Sequence, residues 1–150
     1  MSDWDGDGKN DVPQGGSVSR FAYAALLPMW VLAIWLASID ATHPWRELTA
    51  VLLSSYGALM LIFAAGAHWG FAPSMRTAAG AAVLLVVAWM SPLLPSNGAF
   101  VLLAIALAAQ GAWDAFAVHR GELPAWYGHL RTRMTFLAVT AMLVAFVAAN

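Results

Sequence analysis

The sequence contains no cysteine among its 150 residues. It therefore forms no disulfide, no thiolate metal site and no Cys nucleophile. Charge is scarce as well. Seven basic and eight acidic residues make up 10% of the chain and leave a net charge of −1. A soluble domain carries roughly 25% charged residues, and a nucleic-acid binder gathers basic ones into a patch. Catalytic signatures are missing too. There is no G-x-S-x-G, no H-E-x-x-H and no Walker loop, and the glycines are scattered rather than gathered to cradle phosphate. No internal repeat is visible, which speaks against an inverted-repeat transporter. No catalytic residue, metal-ligand set or cofactor is assigned.

What the sequence has in excess is apolar. Hydrophobic residues make up 61% of it, more than the polar remainder of a soluble protein this size would cover. Six of the charged residues fall in the first twenty positions, and the others are separated by long apolar intervals. A membrane helix needs about 20 such residues to cross a hydrocarbon core of about 30 Å. Five intervals qualify: 21–38, 48–70, 77–94, 98–118 and 134–149. The last is about 24 Å long at about 1.5 Å per residue, and relies on snorkelling by Arg131 and Arg133 to span. Runs such as AAVLLVVAW and FVLLAIALAA do not alternate, so barrel strands are excluded. The expected fold is an all-α membrane protein, a five-transmembrane-helix bundle over 21–150. A disordered acidic tail over 1–20 precedes it.

Positive charge marks the cytoplasmic side. With five spans, Lys9, Arg20, Arg76, Arg120, Arg131 and Arg133 share one side, against Arg46 alone on the other. This bias predicts a cytoplasmic N-terminus and a periplasmic C-terminus in a bacterial inner membrane. The first span reads as a retained anchor rather than a cleaved leader, because an acidic, long segment precedes it. Most tryptophans fall towards predicted span ends, where amphipathic rings prefer the interface. Pro95-Ser96-Asn97-Gly98 signals a tight turn joining spans three and four as an antiparallel hairpin. The longest connection is expected over 119–133.

Within the tail, Asp3, Asp5, Asp7 and Gly8 fit the start of a calcium loop, D-x-D-x-D-G. Position twelve is Gln14 rather than a bidentate Glu, so a solvated tail is the favoured reading. On the second span, Gly57, Gly66 and Gly70 are expected to pack helices closely. Ser54 and Ser55 read as hydroxyls bonded to their own helix. A candidate functional polar cluster comprises Tyr56, His68, Trp69 and Asp114, the polar or amphipathic groups hardest to place in lipid. Asp114 is the one acid inside an apolar span, and Gln110, His68 or Arg120 are its expected partners. The connection ELPAWYGHLRTR holds Pro124, Trp126, Tyr127, His129, Arg131 and Arg133. It reads as an interfacial anchor for anionic lipid or a partner-docking surface.

Three functions compete. One is a non-enzymatic accessory or assembly protein. A second is a proton or small-solute transporter or channel relaying through Tyr56, His68 and Asp114. A third is a haem or quinone site at His68, with His119 as a second ligand. The lipid bilayer is the first partner; other membrane proteins, anionic lipid and a second copy of the chain are further candidates.

Two stretches resemble a known family. Tyr56-Gly57-Ala58 through Gly66, His68, Trp69 and Gly70 is similar to the stretch YGA…GG-x-[RH]-WG of the bacterial domain-of-unknown-function 3429 group. Leu123-Pro124-Ala125-Trp126-Tyr127, then Leu130-Arg131 and Thr135, is similar to its LPaWY-x-x-LR…LT stretch. Asp114 falls where that group often has an aspartate, and Ala65 stands where it often has a glycine. The resemblance covers 21–149 and extends to the mitochondrial transmembrane protein 69. It implies a small multi-span membrane protein without an assigned activity.

Overall fold

The computed structural model describes residues 15–71 and 73–150, with side chains from residue 19 onward. The elements are helices α1 (Gly15–Ala24), α2 (Leu27–Ser38), α3 (Arg46–Phe71) and α4 (Met75–Met90), a 3-10 turn (Ser91–Leu93), and helices α5 (Ser96–His119) and α6 (Ala125–Ala149). No strand occurs among the described residues. Five helical segments are long and apolar enough to cross a membrane: Ser19–Ser38, Arg46–Phe71, Met75–Leu93, Ser96–His119 and Ala125–Ala149. The chain is a multi-pass membrane protein. The Asp-rich calcium-loop motif lies outside the described residues. Residues 15–20, assigned above to the tail, are helical.

The first span is broken between α1 and α2, and Pro28 accounts for it. Proline has no N–H to give the carbonyl four residues earlier, so the ladder opens at Ala24. A carbonyl freed inside a membrane needs another donor. Tyr56 of α3 supplies one next door, its hydroxyl donating to the Ala25 carbonyl at 2.6 Å. At the far end Arg46 donates to the Ile39 carbonyl at 3.0 Å and also to the Ala148 carbonyl. It thereby ties the ends of α2 and α6 to the start of α3. We call this the Arg46 end; the opposite end carries Arg76, Arg120 and Arg133 and is the basic end.

Helices α2, α3, α5 and α6 form the packed body, with α5 against α6 as its main contact and α4 laid on the outside of α3. Only Ala88 of α4 is buried, while Val83, Val86 and Trp89 point outward. That is costless in lipid, where burial of apolar side chains gives no drive to associate. Ser74 starts α4 with a reciprocal cap. Its Oγ accepts from the Thr77 N–H at 3.1 Å, and the Thr77 hydroxyl accepts from the Ser74 N–H at 3.0 Å.

Two expected connections are corrected. Ser96, Asn97 and Gly98 form the first turn of α5 behind Pro95 rather than a tight turn, because first-turn N–H groups need no helical partner. The bend lies one step earlier, in the 3-10 turn. The connection 119–133 shrinks to the five residues 120–124. Helix α5 stops at Gly121, whose φ of +74° is a left-handed value that glycine adopts freely. Glu122 N–H reaches the Ala117 carbonyl and Gly121 N–H the Val118 carbonyl, a Schellman cap. Helix α6 then starts after Pro124 and runs 25 residues, so the fifth span crosses with length to spare.

Candidate functional site

Asp114 is fully buried on α5, 0% exposed, and three side chains converge on it. One turn back on the same helix, the Gln110 amide donates to Oδ1 at 2.9 Å. From α3, His68 Nδ1 meets Oδ1 at 2.5 Å. From α6, Arg131 Nε donates to Oδ2 at 2.7 Å. His68, Gln110 and Arg131 are themselves buried. One carboxylate therefore joins three helices near the basic end.

The local sequence explains how three helices come this close. A methyl at Gly111 would sit 2.5 Å from Thr135 Cγ2, so only glycine fits where α5 crosses α6. Thr135 lies one helical turn past Arg131, and Gly111 nearly one turn before Asp114. The close approach thus brings guanidinium and carboxylate together. A second close approach, Gly128 against Val118, lies nearer the helix ends. Trp113, next to Asp114, reaches over His68 edge-to-face with ring centres 6.0 Å apart, and fills the gap to Gly80 of α4.

Charge and tautomer follow from the partners. A carboxylate only accepts, so His68 carries its proton on Nδ1 and donates. Arg131 already balances Asp114, and a neutral imidazole leaves the cluster without net charge. The lone pair of a neutral ring then lies on Nε2. That atom is buried and has no protein partner among the described residues. His68 lines a cavity of about 10 Å³ with Ala65, Thr77, Gly80, Gln110 and Trp113, enough for roughly one water.

Of the four residues grouped from sequence, the structure brings two together. His68 and Asp114 touch. Tyr56 does not join them. It is twelve residues from His68 along α3, about 18 Å, and its hydroxyl is committed to Ala25. Trp69 points outward. Arg120 is not a partner of Asp114; it pairs with Glu122 at 2.7 and 2.8 Å. That hydrogen bond from Arg120 holds the Glu122 carboxyl below its ordinary range. His119 is exposed while His68 is buried, so the two do not face one site.

The segment read as an interfacial connection is helical after Pro124. Trp126, His129 and Arg133 are exposed on it, as expected of anchors, but Tyr127 and Arg131 face inward. Gly57 is buried against Leu103 and Met142. Gly66 and Gly70 are exposed, with nothing within 4 Å of an added methyl, so their G-x-x-x-G makes no helix contact among the described residues. Of the close-packing glycines that sequence reasoning passed over, Gly111 makes the tightest approach. Its signal was its place one residue after Gln110, on the helix of the lone buried acid.

Among the described residues no group of three His, Cys, Asp or Glu side chains is placed to hold a metal ion. The sequence model of one family, described as a protein of unknown function (DUF3429), matches residues 16–147. The chain belongs to the DUF3429 family. No curated protein and no solved structure matches it. The family match covers the first four membrane segments of this DUF3429 protein and all but the last two residues of the fifth, with the Asp114 cluster inside it.

A second buried polar atom lies near the cluster. The Tyr127 hydroxyl is buried without a partner among the described residues, its ring packed on Phe71 at 4.9 Å. A hydroxyl that makes no hydrogen bond contributes only its desolvation cost. Tyr127→Phe is therefore expected to leave thermal unfolding in detergent unchanged or to raise its midpoint. A clear drop would mean that the hydroxyl is bonded in the membrane.

Proposed function

We propose that this DUF3429 protein is a non-enzymatic accessory or assembly protein of the bacterial inner membrane, with its basic end towards the cytoplasm. The observation that carries the reading is the way its intramembrane polar groups are used. Asp114 is closed by Gln110, His68 and Arg131. Tyr56, Ser54 and Ser91 each donate to a backbone carbonyl. The Asp114 cluster and Tyr56 hold helices in register, while the two serine hydroxyls are satisfied by carbonyls of their own segments. A transport relay instead needs polar groups that connect from one side to the other, and here about 18 Å of α3 separates the two candidates. The sidedness rests on the arginines: Arg20, Arg76, Arg120 and Arg133 lie towards one end, Arg46 at the other.

Copurification from native membranes after mild solubilisation tests the proposal. The expected result is a stable larger assembly whose other members lose abundance when the gene is deleted. A protein that migrates alone, with every membrane complex intact in its absence, refutes it. Proton or solute flux in reconstituted vesicles that is lost in Asp114→Asn would support the transporter reading instead.

A further inference from the structure

The unpartnered Nε2 of His68 does not stand alone. The small cavity beside it shares its Thr77 and Trp113 walls with a cleft of about 440 Å³ at the basic end. Pro73, Ser74, Arg76 and Thr77 of the α4 start form one wall of this cleft, and Arg120 and Glu122 close the other. An adjoining apolar groove runs from Arg76 and Arg120 along Ala109, Ala112, Trp113 and Phe116. A cationic mouth at helix ends and an apolar groove share Arg76, Trp113 and Arg120, and the cavity at the buried acceptor lies behind Thr77 and Trp113 of the same cleft.

Each part selects a different piece of a ligand. The mouth holds two guanidiniums against one carboxylate, and Glu122 is already taken up by Arg120. Arg76 adds a positive charge, and the N-terminal end of α4, the positive end of its dipole, lines the same cleft. Both favour a phosphate. The groove of Ala109, Ala112 and Phe116 suits an acyl chain. The inner cavity admits a group no larger than a hydroxyl, and His68 Nε2, an acceptor, requires that group to donate.

We propose that the α4–α5 cleft binds an anionic phospholipid whose head carries free hydroxyls, of the phosphatidylglycerol type. Its phosphate sits at Arg76 and the start of α4, and a head hydroxyl donates to His68 Nε2. This goes beyond the accessory role and does not depend on it. The Asp114–Arg131 pair then acquires a second task, since it holds the imidazole in the tautomer that accepts.

Native mass spectrometry of the full chain, titrated with phosphatidylglycerol, phosphatidic acid, phosphatidylcholine and free glycerol 3-phosphate, tests the site. Phosphatidylglycerol should be retained most strongly. Arg76→Gln should weaken it about fivefold, the worth of one interfacial arginine. Ala112→Trp, at an exposed position of the groove, should block the acyl chain and abolish the preference. Arg133→Gln, at an arginine outside the cleft, is the control and should change little. In ¹⁵N spectra of the histidines, the His68 Nε2 signal should shift with phosphatidylglycerol and not with phosphatidic acid. Equal retention of phosphatidylcholine, or equal losses in Arg76→Gln and Arg133→Gln, overturns the site. A His68 signal that ignores phosphatidylglycerol overturns the hydroxyl contact. Competition by free glycerol 3-phosphate at matched concentration overturns the lipid assignment in favour of a soluble phosphate ester. Copurification of partner proteins reads none of these quantities, so the two proposals fail separately.

Discussion

Arg131→Met should be the most damaging single substitution in the bundle, with an expected loss of about 3–5 kcal/mol, the usual cost of stripping one partner from a buried ion pair. Methionine keeps the apolar stem and the volume. What it removes is, among the described residues, the only lysine or arginine within hydrogen-bonding distance of Asp114, which is itself 0% exposed. The carboxylate is left with Gln110 and a neutral His68, too little to hold a charge in a low-dielectric site. Removing both charges is a different perturbation. Asp114→Leu with Arg131→Met leaves no orphaned ion, and its loss should fall well below the sum of the two single losses. Denaturant or thermal unfolding in detergent, run on all four proteins, reads the coupling directly. Additive losses, or an Arg131→Met protein as stable as the parent, would show that the pair does not hold the three helices together.

That pair also shows where the sequence was legible and where it was not. The spans were legible because lipid imposes a coarse rule, about 20 apolar residues bounded by charge. Asp114 and His68 were legible for the same reason, since each breaks a run that should be apolar. Arg131 was not, because an arginine near a span end usually snorkels to the interface, and that expectation started the fifth span too late. The missing clue is a stripe. Among the buried residues of α6, Tyr127, Arg131, Met134, Ala138, Ala141 and Ala145 run in alternating four- and three-residue steps, with Met142 buried beside them. This is the seam spacing of packed helices. Read from its apolar part, Met134 to Ala145, and continued one step back, it lands on Arg131 and assigns it to the interior. Tyr56 failed as a cluster member for a different reason. Its partner is the Ala25 carbonyl at the break between α1 and α2, and pairings between spans are not written in either segment alone.

The same limit applies to the glycines, and it yields the second large effect. Gly111→Ala should destabilise the protein by about 1–3 kcal/mol, the usual cost of overpacking a tight contact. Gly66→Ala and Gly70→Ala should be neutral or slightly stabilising. All three sit inside helices and look alike in sequence. They differ in what faces them: Thr135 at 2.5 Å for Gly111, and nothing within 4 Å for the other two. The added methyl at Gly111 cannot move, because Thr135 is β-branched and stiff about its first torsion, so α5 and α6 must separate. Separation stretches the Asp114–Arg131 contact one turn away. Gly111→Ala should therefore weaken the coupling measured between Asp114 and Arg131 as well as lower stability. Thr135→Gly removes all three atoms that the new methyl would strike, and in the Gly111→Ala background it should restore part of both losses. Thermal midpoints that fall as far in Gly66→Ala as in Gly111→Ala would mean that the α3 glycines are buried against another chain in the membrane and that the α5–α6 crossing is not the tight point of the fold.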